Sequence, residues 1–99
     1  MGVNGTWLLA VDSPMGKQDL SVDLTEADGR LTGALINRGN DMTTEIFDGV
    51  VENGQLRWKA KLKQLRMTVT FATTVEGDSM SGNVTAGIFG SFPLTGKRD

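Results

Sequence analysis

The sequence predicts an all-β protein: one eight-stranded antiparallel up-and-down β-barrel, with residues 1–99 forming a single domain. Three observations predict it. Tight-turn dipeptides recur at a near-constant interval, the residues between them alternate with a period of two, and the count of strands brings both chain ends to one rim. Asp28-Gly29, Asn53-Gly54 and Gly77-Asp78 are the dipeptides that close two-residue hairpins. Their spacing of roughly 24 residues fits two strands and a connection. The segments Gly5 to Asp28 and Asp78 to Arg98 complete four hairpin-length units. Eight strands with no unprotected edge favour closure, because an open edge would pair with other chains.

Each unit alternates. Trp7, Leu9 and Val11 interleave with Thr6, Leu8 and Ala10, and Leu20, Val22 and Leu24 interleave with Asp19, Ser21 and Asp23. Leu56, Trp58, Ala60 and Leu62 interleave with Arg57, Lys59, Lys61 and Lys63, and Met67, Val69 and Phe71 with Thr68, Thr70 and Ala72. Met80, Gly82, Val84 and Ala86 alternate with polar residues. One apolar and one wet face per strand is the antiparallel signature. Gln55 to Met67 is rich in strong helix formers, yet its apolar residues fall at every second position after Gly54, so a strand is expected there. Gly49 marks a candidate bulge that re-aims Val50 and Val51.

Composition narrows the chemistry. Apolar residues make up 38 % of the chain and the formal net charge is −2, ordinary values for a globular domain. There is no cysteine, histidine or tyrosine. Thiolate and imidazole metal ligands, a cysteine nucleophile and a Ser–His pair are thereby excluded, and no cofactor or metal is expected. No apolar run approaches the ~18–20 residues of a membrane span. Without a basic segment and apolar h-region at the N-terminus, a cytoplasmic location is expected.

The first strand opens Gly5-Thr6-Trp7 and the last ends Gly96-Lys97-Arg98. A Gly-x-Trp on strand one, with a terminal-strand arginine over the indole, resembles the calycin superfamily of lipocalins, fatty-acid-binding proteins and avidins. The short length and tight hairpins look more like avidin. Pro14-Met15-Gly16 and Phe89-Gly90-Ser91-Phe92-Pro93 also make the chain similar to small uncharacterised bacterial domains that run from Gly-Thr-Trp to Phe-Gly-x-Phe-Pro. The resemblance implies a closed end where Trp7 is a plug and Arg98 stacks on it. Biotin binding is not implied, since that site needs several tryptophans and a tyrosine whereas this chain has only Trp7 and Trp58.

The rim opposite the chain ends is expected to carry longer connections, Asp12–Gly16, Asn37–Asp41, Leu62–Leu65 and Gly87–Gly90, and to form any binding mouth. Parity places Gln18, Asn37, Thr44 and Gln64 inward near that rim, with Met42, Met67, Phe89 and Phe92 lining the same region and Trp58 deeper. Methionine, phenylalanine and a few amides suit a compact, mostly apolar guest, and an eight-stranded barrel is just wide enough for one. Inward Gly33, Gly82, Ala60 and Ala86 either leave room for it or, in the case of the glycines, relieve crowding at bends. Asp12 and Asp41, at strand ends on this rim, are the candidate acid or base residues, and also common turn residues.

Arg57, Lys59, Lys61 and Lys63, with Arg66 nearby, form a basic stripe. It lacks interleaved exposed aromatics, so a solvated exterior is expected rather than a nucleic-acid surface. Outward parity of Leu8, Ala10, Ala34, Ile36 and Phe47 points to a homodimer or larger assembly. The leading function is binding of a small apolar or aromatic molecule. The alternatives are a cofactor-independent cyclase, isomerase or lyase with an aspartate as acid or base, and an interaction domain with a filled core. An enzymatic role is left open, and no membrane partner is expected.

Overall fold

The computed structural model describes residues 3–13, 16–37, 42–62, 67–87 and 90–99. Eight strands follow one another around a closed barrel: β1 (Gly5–Ser13), β2 (Gly16–Ala27), β3 (Arg30–Asn37), β4 (Met42–Glu52), β5 (Gln55–Leu62), β6 (Met67–Glu76), β7 (Ser79–Thr85) and β8 (Ser91–Arg98). Each pairs antiparallel with the next, and β8 closes on β1 through registers such as Trp7↔Arg98 and Leu9↔Gly96.

Backbone chemistry explains the three tight turns. Asp28-Gly29 and Asn53-Gly54 both hold positive φ at each central residue, 53° then 80° and 53° then 78°. This is the type I′ pattern, whose twist matches that of paired strands. In the reversed dipeptide Gly77-Asp78 only the glycine is positive, at 61°, as a type II′ turn requires. The β4 bulge falls at Asp48 and Gly49, where the register with β5 shifts between Phe47 and Val50. Asp48 takes φ 52°. The extra residue leaves Phe47 and Val50 both on the outer face and returns Val51 to the interior.

The helix-forming composition after Gly54 is overridden, since Gln55–Leu62 is strand. Its alternate side chains Leu56, Trp58 and Ala60 are fully buried, a gain a solvent-exposed helix could not match. One expected connection is corrected. β1 runs to Ser13 and β2 resumes at Gly16, so two residues join them where a longer loop from Asp12 was expected. The other three connections of that rim span 38–41, 63–66 and 86–90.

Large side chains fill the interior towards the rim that holds the chain ends. Trp7, Leu24, Leu56 and Met80 are sealed from solvent there; further up, Leu94 is sealed opposite Val11, and Trp58 and Phe71 stack with ring centroids 5.2 Å apart. Beneath Trp7 the chain folds under the barrel. The indole Nε1–H donates to Val3 O at 3.0 Å, and Asn4 Oδ1 accepts from the Glu26 amide at 2.7 Å. Above the indole, Arg98 Cζ lies 4.4 Å from the ring centroid. Its Nη1 donates to Asn4 O at 2.6 Å and its Nε to Asp78 Oδ1 at 3.0 Å. Gly5, at φ +128°, belongs to this arrangement: a Cβ there would stand 3.2 Å from Arg98 Nη1.

Candidate functional site

Interior exposure rises along the barrel axis. On β1 it goes from 0 % at Trp7 through 2 % at Leu9 to 6 % at Val11. On β2 it goes from sealed Val22 to half-buried Leu20 and exposed Gln18. β3 passes from buried Leu35 to half-buried Asn37, β7 from Val84 to half-buried Ala86, and β8 from sealed Leu94 to half-buried Phe92. At the chain-end rim the inward Val51 and Val75 are half-buried as well, so a sealed middle layer, with Leu56, Trp58, Ala60 and Phe71, lies between two more exposed rims. The inward residues towards the second rim include Leu20, Asn37, Thr44, Ala86 and Phe92, with Val11, Leu35, Ile46, Ala60, Val69 and Val84 beneath.

Several of the sequence-predicted residues converge here. Leu20 and Asn37 are register partners, as are Leu35 and Thr44, so the amide and the hydroxyl share one side of the cup. Phe92, opposite Val84, packs half-buried against the core. Gln18 pairs with Val11 at the very edge and is exposed. Met42 and Met67 are strand-end partners of Asn37 and Leu62, but their side chains lie outside the described structure. Asp41, Gln64 and Phe89 lie outside the described residues, as do Lys63 and Arg66. Asp12 is placed on the outer surface. It follows Leu8 and Ala10 in parity, is exposed, and faces Lys17 across the β1–β2 ladder.

Two positions read as room for a guest have another cause. A Cβ on Gly33 would overlap the carbonyl oxygen of Asp23 and stand 2.8 Å from its carbon. One on Gly82 would overlap the Ala72 carbonyl oxygen and stand 2.7 Å from Thr73 Cα. At these places neighbouring backbones close in on the missing side chain, so the glycines serve the bending of the sheet and not the volume of a pocket. Ala60, sealed, and Ala86, half-buried, are the small inward side chains above Trp58.

The core also holds polar atoms without partners. Trp58 Nε1 and Thr73 Oγ1 are buried and unpaired. Leaving a buried donor or acceptor unmade costs about 1–3 kcal/mol. Thr73 continues the inward set of Val69 and Phe71, a parity visible in the sequence that singles out the one hydroxyl among apolar neighbours. Thr73→Val, which keeps the shape and removes the hydroxyl, is expected to raise the stability of the free protein by about 1 kcal/mol. Thermal denaturation would register this as a rise of about 4–8 °C in a domain of this size.

On the exterior, Arg57 and Lys61 are exposed, and Lys59 is within 3.9 Å of Asp48. Phe47 and Val50, 40 % and 44 % exposed, flank the bulge beside these cations. Leu8, Ala10, Ala34 and Ile36 are half-buried. A shallow outer groove is lined by Val50, Glu52, Gln55 and Arg57. Among the described residues no group of carboxylates is arranged to hold a metal ion, and no helix is long and apolar enough to cross a membrane. In comparisons with known proteins, the chain matches no protein-family model and no curated protein.

Proposed function

We propose that the barrel binds one small, mostly apolar molecule that enters through the rim opposite the chain ends. The supporting observation is the set of half-buried inward side chains at the second rim, Leu20, Asn37, Thr44, Ala86 and Phe92, above a sealed layer that contains Trp58 and Ala60. Apolar walls with Asn37 and Thr44 at the mouth suit a guest held by burial and oriented by few polar contacts. The Gly5–Trp7–Arg98 arrangement supports reading the barrel as calycin-like, a group in which such a cup is the usual site.

The test is native mass spectrometry of protein purified from its own host, followed by thermal shift with a panel of aromatic ketones and carboxylates. A retained small molecule is expected. Saturation to about 100 times Kd should stabilise the fold by about 2.7 kcal/mol, or about 10 °C or more. A bare polypeptide mass together with unmoved melting across the panel would overturn the proposal. Asp12→Asn is expected to leave any ligand-induced shift unchanged, because its carboxylate stands on the outer face; loss of that shift in the variant would bring Asp12 back into the site.

A further inference from the structure

The two indoles of this protein differ in one respect. Trp7 gives its N–H to the Val3 carbonyl, whereas Trp58, equally buried, gives its N–H to nothing. The second unpaired polar atom, Thr73 Oγ1, is close by in the ladder. Trp58 stands opposite Phe71 and Thr73 opposite Leu56, so the two are diagonal neighbours on adjoining strands, both facing inward. Diagonal neighbours of this kind are within reach of a shared partner when one of them is aromatic. Native interiors rarely leave such groups unmade, and a bound partner atom is one physical explanation when they do.

The chemistry of the pair specifies that atom. An indole nitrogen only donates, and a hydroxyl donates one hydrogen while also accepting. An oxygen acceptor satisfies both, whereas an ammonium, which has no lone pair, would set hydrogen against hydrogen at Trp58. On β5 the next inward residue towards the second rim is Ala60, the smallest inward side chain of that strand, and Ala86 and Phe92 lie nearer the mouth. Ala60 and Trp58 are sealed in the free protein and Thr73 lies on the chain-end side of the stacked Trp58–Phe71 pair, so a guest reaches the indole only if the half-buried Ala86 and Phe92 nearer the mouth move aside.

We infer that the barrel selects guests carrying a hydrogen-bond acceptor, a carbonyl, carboxylate or ether oxygen, received by the Trp58 Nε1–H with the Thr73 hydroxyl as second donor. This rests on the reading of the barrel as a cup open at the second rim. Trp58 then distinguishes an acceptor-bearing ligand from a hydrocarbon of the same shape, and the Thr73 hydroxyl costs stability in the empty protein.

Nitrogen-15 NMR of the intact chain tests this, since the only two indole N–H signals belong to Trp7 and Trp58 and Trp58→Phe assigns them. Acetophenone and isopropylbenzene serve as probes of similar shape with and without the acceptor. Acetophenone is expected to move the Trp58 indole proton downfield and leave that of Trp7 in place, while isopropylbenzene gives no downfield shift. Thr73→Val should weaken acetophenone roughly fivefold and Trp58→Phe roughly tenfold, with isopropylbenzene changed less than about twofold by Thr73→Val. Equal affinity for both probes with no downfield shift would overturn the acceptor selectivity and leave the cup standing. Binding of neither probe would overturn both. A long-lived water that cross-relaxes with the Trp58 N–H in free and probe-saturated protein would also overturn the inference, because water would then be the partner.

Discussion

Gly33→Ala is expected to destabilise the barrel by about 3 kcal/mol or more, at the upper end of what overpacking produces. The obstacle is backbone. The new Cβ would overlap the Asp23 carbonyl oxygen on β2, and no rotamer of any side chain can relieve that. The residue also holds φ +147°, which an L side chain resists. The β2–β3 ladder would have to part around Leu24↔Gly33, directly beside the sealed Leu24. Gly82→Ala should behave alike for the same reason, against Ala72 and Thr73 on β6. Since β3 and β7 stand opposite each other in the ring of eight, the two glycines relieve crowding at opposed places in the sheet. Gly54→Ala separates close approach from backbone conformation: its φ is +78°, yet nothing lies within 4 Å of the added carbon. It should cost only about 1–2 kcal/mol. Chemical denaturation of the three variants ranks them, and a Gly33→Ala loss no greater than that of Gly54→Ala would refute the close-approach account.

These glycines show where the sequence is legible and where it is not. Period-two alternation and turn dipeptides are local signals, governed by the pleat and by φ at two residues, so the eight strands and the I′ and II′ turns could be read directly. The outward face of Asp12 is equally readable, for it shares parity with the outward Leu8 and Ala10. Gly33 and Gly82 could be placed on the inward side, but whether an absent side chain leaves space or admits a neighbouring backbone depends on how the sheet coils. That is a property of strands distant in sequence. The strap beneath the barrel lay further out of reach. Nothing near Asn4 announces that its carbonyl will meet Arg98, 94 residues away, and Asp78 reads only as half of a turn. The lone Thr73 hydroxyl was legible by parity, but its lack of a partner follows from packing.

The closed end carries the other large expected effect. Trp7→Ala should destabilise the protein by about 3–5 kcal/mol, a large share of the 5–15 kcal/mol that holds a typical domain together. The side chain is fully buried, so its removal leaves a cavity that Leu24, Met80 and the Val3 strap cannot all move to fill. The Val3 carbonyl also loses its donor. Arg98 loses the ring on which it stacks, worth about 0.5–2 kcal/mol. Trp7→Phe keeps most of the volume and some of the ring face but removes the N–H, and should cost less, about 1–3 kcal/mol. Arg98→Lys keeps the charge but loses the planar fork that reaches Asn4 and Asp78 together while lying over the indole; a drop of about 1 kcal/mol, or about 4–8 °C, is expected. If the plug acts as one unit, Trp7→Phe and Arg98→Lys combined should cost less than the sum of the two, because each removes part of the same stacking contact. Strict additivity by thermal or urea denaturation would show instead that Arg98 stabilises the chain ends through Asn4 and Asp78 alone, with the indole beneath it as packing.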